Sequence, residues 1–135
     1  MTLEGFTSTV SQHTFTTTMD RLERACVRHG MSVFARIDHA LAAAVAGLSM
    51  RPTQVLIVGN ARSGTPHMTP FPKVAIDLPL RILAWEDSEG RVNVGFNDPQ
   101  RIAGQHAAGP EVASLVTAMR AGLSEVVADA SGGTK

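Results

Sequence analysis

The first residues that suggest chemistry lie in the stretch VGNARSGTPHM at residues 58–68. Gly59 and Gly64 have the G-x-x-x-x-G spacing of a phosphate-binding loop and follow an apolar run. Such a loop continues with Lys, which reaches the terminal phosphates, and then with Ser or Thr, which holds the metal. Thr65 and Pro66 occupy those positions here, and proline has no N–H to donate to an anion. The sequence therefore argues against a nucleotide at this loop.

The same loop carries side chains suited to holding a small molecule. It follows the run 53–60, which is apolar on both faces and so belongs in the centre of a sheet. Crevices at the carboxyl ends of central strands commonly bind ligands. An ordinary strand-to-turn connection is the competing interpretation. The loop residues predicted to contact a ligand are Asn60, Arg62, Thr65, His67 and Met68.

A second candidate group lies at residues 96–99. Asn97 and Asp98 precede Pro99, at the end of a predicted strand. Asp98 is equally suited to capping a helix that starts at Pro99, and Asn97 is equally suited to the solvent face of the strand. We place the predicted ligand site between this corner and the loop at 60–68.

The five histidines and the single cysteine do not form a metal-binding pattern. The sequence contains neither H-x-x-x-H nor C-x-x-C, although His67 and Met68 would form a soft metal or haem site if folding brought them to Cys26. Cys26 falls instead on the apolar stripe of a predicted helix, which indicates a buried, unreactive thiol. We therefore expect no metal and no cofactor.

Two pairs of adjacent ionisable residues resemble acid–base groups. Asp38 and His39 stand where a predicted strand meets a helix, and capping of that helix explains the aspartate. Glu86 and Asp87 end a hairpin strand, where solvated carboxylates lack the shifted pKa that acid catalysis requires.

Hydrophobic periodicity predicts the elements that position these residues. Strands are expected at 6–11, 31–38, 53–60, 78–87 and 91–98, and helices at 17–29, 39–47, 99–106 and from Gly109-Pro110 onward. Three prolines make the segment 64–77 irregular or one-turn helical. This order predicts a two-layer α+β sandwich, with about five strands in the sheet and the helices packed on one face. Residues 1–130 are expected to form a single domain and residues 131–135 a disordered tail.

Three local features follow from the same patterns. Alternation places residues 33, 35 and 37 on one face of their strand. The threonines at 16–18 offer N-caps for the first helix. Ser88-Glu89-Gly90 separates two alternating runs and predicts a hairpin.

Composition limits the partners and the compartment. Twelve basic and twelve acidic residues cancel, so neither nucleic acid nor an anionic membrane is expected as a partner. The apolar run at 41–48 is far shorter than the ~20 residues of a membrane span, and the first ten residues do not resemble a secretory signal. We expect a soluble, cytoplasmic protein.

The apolar residues also point to a partner subunit. They make up 44% of the chain, which has one tryptophan and no tyrosine. Trp85 lies off the main apolar face of its predicted strand, so we expect it first at a dimer contact, then under a loop, and last on a ligand.

The segments GTPHM at 64–68, DLPLRILAWE at 77–86 and FNDP at 96–99 give the chain a family likeness. Over roughly residues 5–128 it resembles the domain-of-unknown-function family 302. It departs from that family's pattern at Ala61, His67 and Phe96, where proline, leucine and tyrosine are usual. The resemblance implies a small two-layer α+β protein that pairs as a homodimer, with no established reaction.

The sequence therefore predicts a homodimeric domain that binds a small molecule. An enzyme that uses Arg62, His67 or Asp98 as acid–base groups is one alternative. A structural dimer without a ligand is the other.

Overall fold

A computed structural model of the chain describes residues 2–3, 5–101 and 110–132. Six strands form one antiparallel sheet in the order β1-β2-β6-β5-β4-β3. The strands are β1 (Thr2–Leu3), β2 (Phe6–Val10), β3 (Ser32–Asp38), β4 (Thr53–Gly59), β5 (Leu80–Glu86) and β6 (Val92–Asn97). The helices are α1 (Phe15–Arg28), α2 (His39–Val45), α3 (Ala61–Met68) and α4 (Pro110–Ser131), and a 3-10 helix covers Pro72–Asp77.

The hydrophobic core lies between one face of the sheet and the two long helices, α1 and α4. Alternate side chains of β4, β5 and β6 point to this face, as the period of a strand requires. The predicted two-layer α+β sandwich with helices on one face is therefore confirmed, and β1 adds a short strand to the five expected. The larger buried members of this core are Met19, Leu22, Leu56, Val58, Ile82, Val94, Phe96, Leu123 and Val126.

The opposite face of the sheet also carries apolar side chains. Val55, Ile57, Leu83 and Trp85 are half-buried there. The ring of Trp85 lies 6.1 Å from that of Phe6, at an angle of 46°. Within one chain, Trp85 therefore packs on a side chain of β2, across the intervening strand β6.

A β-bulge in β3 changes which of its side chains face the helices. Val33 pairs with the buried Val58, whereas Ala35 pairs with Ile57 on the opposite face. The extra residue between them is Phe34, and an inserted residue moves the rest of a strand to the other face. The prediction that residues 33, 35 and 37 share one face is therefore wrong, because simple alternation does not register a bulge.

The first helix begins earlier than predicted. The Thr14 hydroxyl accepts the N–H of Thr17 at 3.2 Å and caps α1, so the threonines at 16–18 lie inside the helix. The helix ends at Arg28, and Gly30 follows with φ of +80°, which suits glycine at a helix C-terminus.

The segment after β4 is an eight-residue helix, α3, where an irregular or one-turn segment was predicted. The Oδ1 atom of Asn60 accepts the N–H groups of Arg62 and Ser63, at 2.9 and 3.3 Å, and so caps the helix. Pro66 removes one N–H, yet helical bonding continues beyond it from the Thr69 N–H to the Thr65 carbonyl at 3.0 Å. A strong cap therefore outweighs the proline penalty in this short helix.

The hairpin of β5 and β6 forms as predicted, and Gly90 in its turn has φ of +79°. The ladder between the two strands runs from Glu86 and Val92 to Leu83 and Gly95. Beyond that pair, β5 continues against β4, and β6 continues against β2. The sheet therefore opens between the start of β5 and the end of β6.

The last helix begins at Pro110, as predicted, and continues into the predicted tail. Ser131 belongs to the helix, and the Gly132 carbonyl accepts from Arg21 at 3.1 Å and lies 3.0 Å from Nε2 of His13. The Ser131 carbonyl accepts the Gln12 N–H at 2.8 Å, so residues 131 and 132 are both held by the N-terminal part of the chain. Residues 133–135 of the tail, and all but the start of the helix predicted at 99–106, lie outside the described residues. Within the described ranges, no helix has both the length and the hydropathy needed to cross a bilayer.

Candidate functional site

A cavity of about 310 Å³ opens at the carboxyl end of β4, on the helix side of the sheet. It lies among the C-terminus of α1, the bulge of β3, α3, the start of β5 and the middle of α4. Its described lining is mainly apolar and includes three of the six methionines. The larger apolar members are Met31, Phe34, Met68, Leu78, Pro79, Leu80, Leu115 and Met119.

Few polar side chains reach this cavity: among the described residues, they are His29, Asn60 and Ser63. Asn60 is already engaged, because it caps α3 and its Nδ2 donates to the Gly30 carbonyl at 3.0 Å. His29 lies 3.7 Å from Glu125 and 3.5 Å from Asp129, measured between ring nitrogen and carboxylate oxygen. The walls of the cavity are therefore mainly apolar, and its polar groups are few.

Two glycines shape the cavity wall. A Cβ atom on Gly59 would lie 3.1 Å from the Phe34 ring and 3.3 Å from Pro79, so the glycine lets both side chains close over the end of β4. A Cβ atom on Gly122 would lie 2.8 Å from the terminal methyl group of Met31, which occupies that space. The space beside both glycines is thus filled by the protein's own side chains.

A second depression, of about 240 Å³, lies where β5 and β6 separate. Its described lining is polar, in contrast to the cavity, and Pro79 and Leu80 border both. The charged and polar members are Asp77, Arg81, Asn97, Asp98 and Arg101. We call this depression the polar cleft.

Asp98 is tied to the last helix by an ion pair. Its Oδ1 accepts from Nε and Nη2 of Arg120, at 3.0 and 2.8 Å, and from the N–H of Gln100 at 2.9 Å. Partial burial acts to raise the pKa of Asp98, but the Gln100 amide and the Arg120 guanidinium outweigh it and lower that pKa. The carboxylate therefore stays ionised at neutral pH, which does not suit a general acid.

The structure divides the predicted site between these two depressions. Asn60 and Met68 line the cavity, and Asn97 and Asp98 line the polar cleft. Arg62, Thr65 and His67 lie on α3, outside the described linings of both. The loop at 60–68 and the corner at 96–99 are thus neighbours across Pro79 and Leu80 and do not enclose one common space.

The other ionisable pairs considered above have structural partners. Asp38 caps α2, since its Oδ1 accepts the Leu41 N–H at 2.9 Å. The Asn93 amide donates to Asp87 at 3.0 Å and, with the N–H groups of Arg91 and Glu89, lowers the pKa of Asp87 to about 2. In the part of the chain that the structure describes, no three His, Cys, Asp or Glu side chains are grouped to hold a metal ion.

Sequence comparison places the chain in a family. The family described as "Domain of unknown function DUF302" matches residues 6–130. The chain belongs to this family. The resemblance drawn from the segments at 64–68, 77–86 and 96–99 is thereby confirmed.

A solved structure shows the same fold. The crystal structure of an uncharacterized conserved DUF302 protein from Bacillus stearothermophilus superposes with a TM-score of 0.86. The match covers 96% of this chain and 100% of that one, with 17% sequence identity. At this identity the likeness establishes the fold alone.

Two curated relatives bear the name of an ion channel. The chain is 37% identical over 128 residues to "Fluoride-specific ion channel FluC 1" of Brucella suis biovar 1 and to a protein of the same name from Brucella abortus biovar 1. The match covers 95% of this chain but only 50% and 47% of those proteins. The chain thus spans about half the length of these relatives.

Most of the cavity lining was missed by sequence reasoning. Leu115 and Met119 fall in the helix predicted from Gly109-Pro110 onward, and Met31 and Phe34 fall in the strand predicted at 31–38. None of the four was predicted to line a site. Arg120 was also missed as the partner of Asp98. The available signal was the methionines at 31, 68 and 119, because methionine commonly lines adaptable apolar sites.

The predicted burial of Cys26 is confirmed, and it leads to a prediction about reactivity. Cys26 is fully buried, and desolvation, followed by the charge of Glu23, raises the pKa of its thiol to about 11. The thiolate is the reactive form, so folded protein near pH 8 should react with Ellman's reagent only on the timescale of unfolding. In concentrated guanidinium the same thiol should react at once. Rapid reaction of the folded protein would contradict this burial.

Proposed function

We propose that the protein binds a small, largely apolar molecule in the cavity between α3, α4 and the start of β5. The observation that carries this proposal is the mainly apolar lining of a cavity of about 310 Å³. Ligand pockets fall at about 300–1,000 Å³ and combine apolar walls with a few polar groups. An empty apolar cavity of about half this size already holds a benzene molecule in another protein.

The lining also indicates the class of ligand. The apolar part of the ligand would contact the methionine and leucine side chains. One hydroxyl or carbonyl group of the ligand would face His29 and Ser63. Asn60 contributes little further hydrogen bonding, because its amide caps α3 and holds Gly30. A strongly charged or sugar-like ligand would lose its hydration here without gaining partners.

Calorimetric titration tests this proposal with benzyl alcohol as the probe and sorbitol as a hydrophilic control. We expect saturable 1:1 binding of benzyl alcohol, with a negative heat-capacity change from buried apolar surface. Sorbitol should give only heat of dilution. If benzyl alcohol gives no saturable heat, or the two probes behave alike, the proposal fails.

The functional form is proposed to be a homodimer. In it, the face of the sheet opposite the helices packs against the same face of a second copy. Five strands spaced ~4.8 Å apart, each about six residues long, give this face a flat projection of roughly 500 Å². Side chains raise the accessible area above that projection, toward the ~800 Å² per partner of a standard interface. The half-buried Val55, Leu83 and Trp85 would be covered, as would Ile37, which is 43% exposed.

Replacing Trp85 by alanine should therefore shift the dimer toward monomer in sedimentation velocity. Large aromatic side chains dominate interface energies. Val27→Ala is the matched control, because Val27 is 69% exposed on α1, a helix of the other layer. A native chain that sediments as a monomer would overturn the proposal, as would an unaltered dimer in the Trp85 variant.

A second candidate function is that of a ligand-binding part that works with a membrane transport protein. The observation that favours it is the 37% identity to half of each relative named as a fluoride-specific ion channel. Fluoride itself is a poor match to the cavity, because a strongly hydrated anion needs many donors. The expected result is that benzyl alcohol alters fluoride efflux from vesicles that contain the full-length Brucella suis relative. Unchanged efflux at saturating probe would contradict this role.

A further inference from the structure

The polar cleft has a structural origin that sets it apart from the cavity. The ladder between β5 and β6 stops at Leu83 and Gly95, so the first residues of β5 and the last residues of β6 diverge. The cleft of about 240 Å³ occupies that opening. Residues of the two strands and of the segment after β6 therefore border a gap in the sheet.

Two arginines border this gap. Arg81 comes from β5, and Arg101 comes from the segment that follows β6. Both residues are exposed and border the cleft. Arginine stays charged at all physiological pH values, and its planar fork matches a carboxylate group with two parallel hydrogen bonds.

The backbone around Gly5 positions Arg101. A Cβ atom on Gly5 would lie 3.3 Å from Cδ of Arg101, so the arginine stem packs where a side chain would otherwise be. The Gly5 carbonyl accepts the Asp98 N–H at 2.8 Å, and the Asp98 carbonyl accepts the Arg101 N–H at 3.1 Å. Two backbone segments, at Gly5 and at 98–101, thus fix the start of the Arg101 side chain beside the cleft.

The charge of the cleft favours an anion. Asp98 lines it but is already neutralised by Arg120, with a shortest contact of 2.8 Å. Asp77 is the other acid in the described lining, against Arg81 and Arg101. Counting Arg120, the described residues at the cleft carry three cations and two carboxylates, a net charge of +1. The amide of Asn97 adds a further donor on the β6 side.

We propose that the polar cleft is a binding site for a small dicarboxylate, held between Arg81 and Arg101. Each guanidinium binds one carboxylate, and the gap between the diverging strands accommodates the short carbon chain that joins them. This site does not depend on ligand binding in the apolar cavity, because its ligand class and its charged residues differ from those of the cavity.

The test is calorimetric titration with sodium succinate at low ionic strength, with sodium acetate and sodium chloride as comparison salts. We expect 1:1 binding of succinate, weaker binding of acetate, and no saturable heat from chloride. Loss of a charged hydrogen-bonding partner weakens binding by about tenfold or more, so Arg81→Gln and Arg101→Gln should each raise the succinate Kd by that factor. Arg51→Gln removes an exposed arginine outside the described lining of the cleft and should leave the Kd unchanged.

Three results would overturn the proposal. These are the absence of saturable succinate binding, equal affinity for acetate and succinate, and an equal loss of affinity in the Arg51 variant. Each variant is also titrated with benzyl alcohol. Retained benzyl alcohol binding shows that the variant is folded. If the native protein binds succinate but not benzyl alcohol, the cleft proposal is supported and the cavity proposal is contradicted.

Discussion

Replacing Gly95 by alanine is expected to lower the free energy of unfolding by about 2–3 kcal/mol, as overpacking of a rigid site does. A Cβ atom at this position would lie 2.6 Å from Cζ of Phe6 and 2.7 Å from the Thr7 carbonyl oxygen. The Phe6 ring also packs on Trp85, so it cannot turn aside freely. The Thr7 carbonyl is backbone within the ladder of β2 and β6, so it moves only if that pairing is distorted. Urea unfolding followed by far-UV circular dichroism measures the change.

The matched control is Gly64→Ala in α3. A Cβ atom there would lie 3.8 Å from the terminal methyl group of Met68, which is ordinary contact. Alanine inside a helix is favoured over glycine by up to about 1 kcal/mol, so this variant should be as stable as the native chain or slightly more stable. Similar losses of stability in both variants would show that the close packing at Gly95 is not the cause.

Filling the mouth of the cavity should abolish binding of benzyl alcohol without unfolding the protein. Ala118 lines the cavity but is itself exposed, so a phenylalanine there can extend into the space with little disturbance of the core. We expect the affinity of Ala118→Phe to fall at least tenfold, or about 1.4 kcal/mol. Calorimetric titration of the variant with benzyl alcohol gives the affinity, and thermal unfolding reports whether the fold is intact.

The control for this variant lies on the same helix. Ala113 is exposed, and five residues place it on the far side of α4 from Ala118. Ala113→Phe adds the same ring to the same helix and should leave the affinity unchanged. If the two variants bind equally well, the probe does not occupy the cavity.

The parts of the fold that repeat a simple period could be predicted from the sequence. These parts are the alternating strands β5 and β6, the hairpin turn at Gly90 and the periodic helix α4. Each pattern depends on residues that are close in sequence, so local sequence determines it. Two elements, β3 and α3, differ from what their local sequence predicts. The bulge at Phe34 is fixed by pairing with β4, and α3 forms despite Pro66 because Asn60 caps it and holds Gly30.

The candidate site was predictable only in part. Asn60, Met68, Asn97 and Asp98 do border depressions, because strand ends gather side chains at one edge of a sheet. The separation of the two depressions was not predictable, since it depends on where Pro79 and Leu80 lie between them. The cavity itself is built from six elements, with lining residues from His29 to Gly122, and no local sequence pattern predicts how those elements pack together.

The methionines provide the most direct test of the central claim, which is that an apolar ligand occupies the cavity. Met31, Met68 and Met119 line it, whereas Met19 is buried in the core and Met50 is 48% exposed elsewhere. Carbon-13 labelling of the methionine methyl groups gives each one a separate NMR signal. On titration with benzyl alcohol, the signals of Met31, Met68 and Met119 should shift together and saturate, while those of Met19 and Met50 stay in place. Stationary signals from the three lining residues at saturating probe, or equal shifts in all five, would contradict the account.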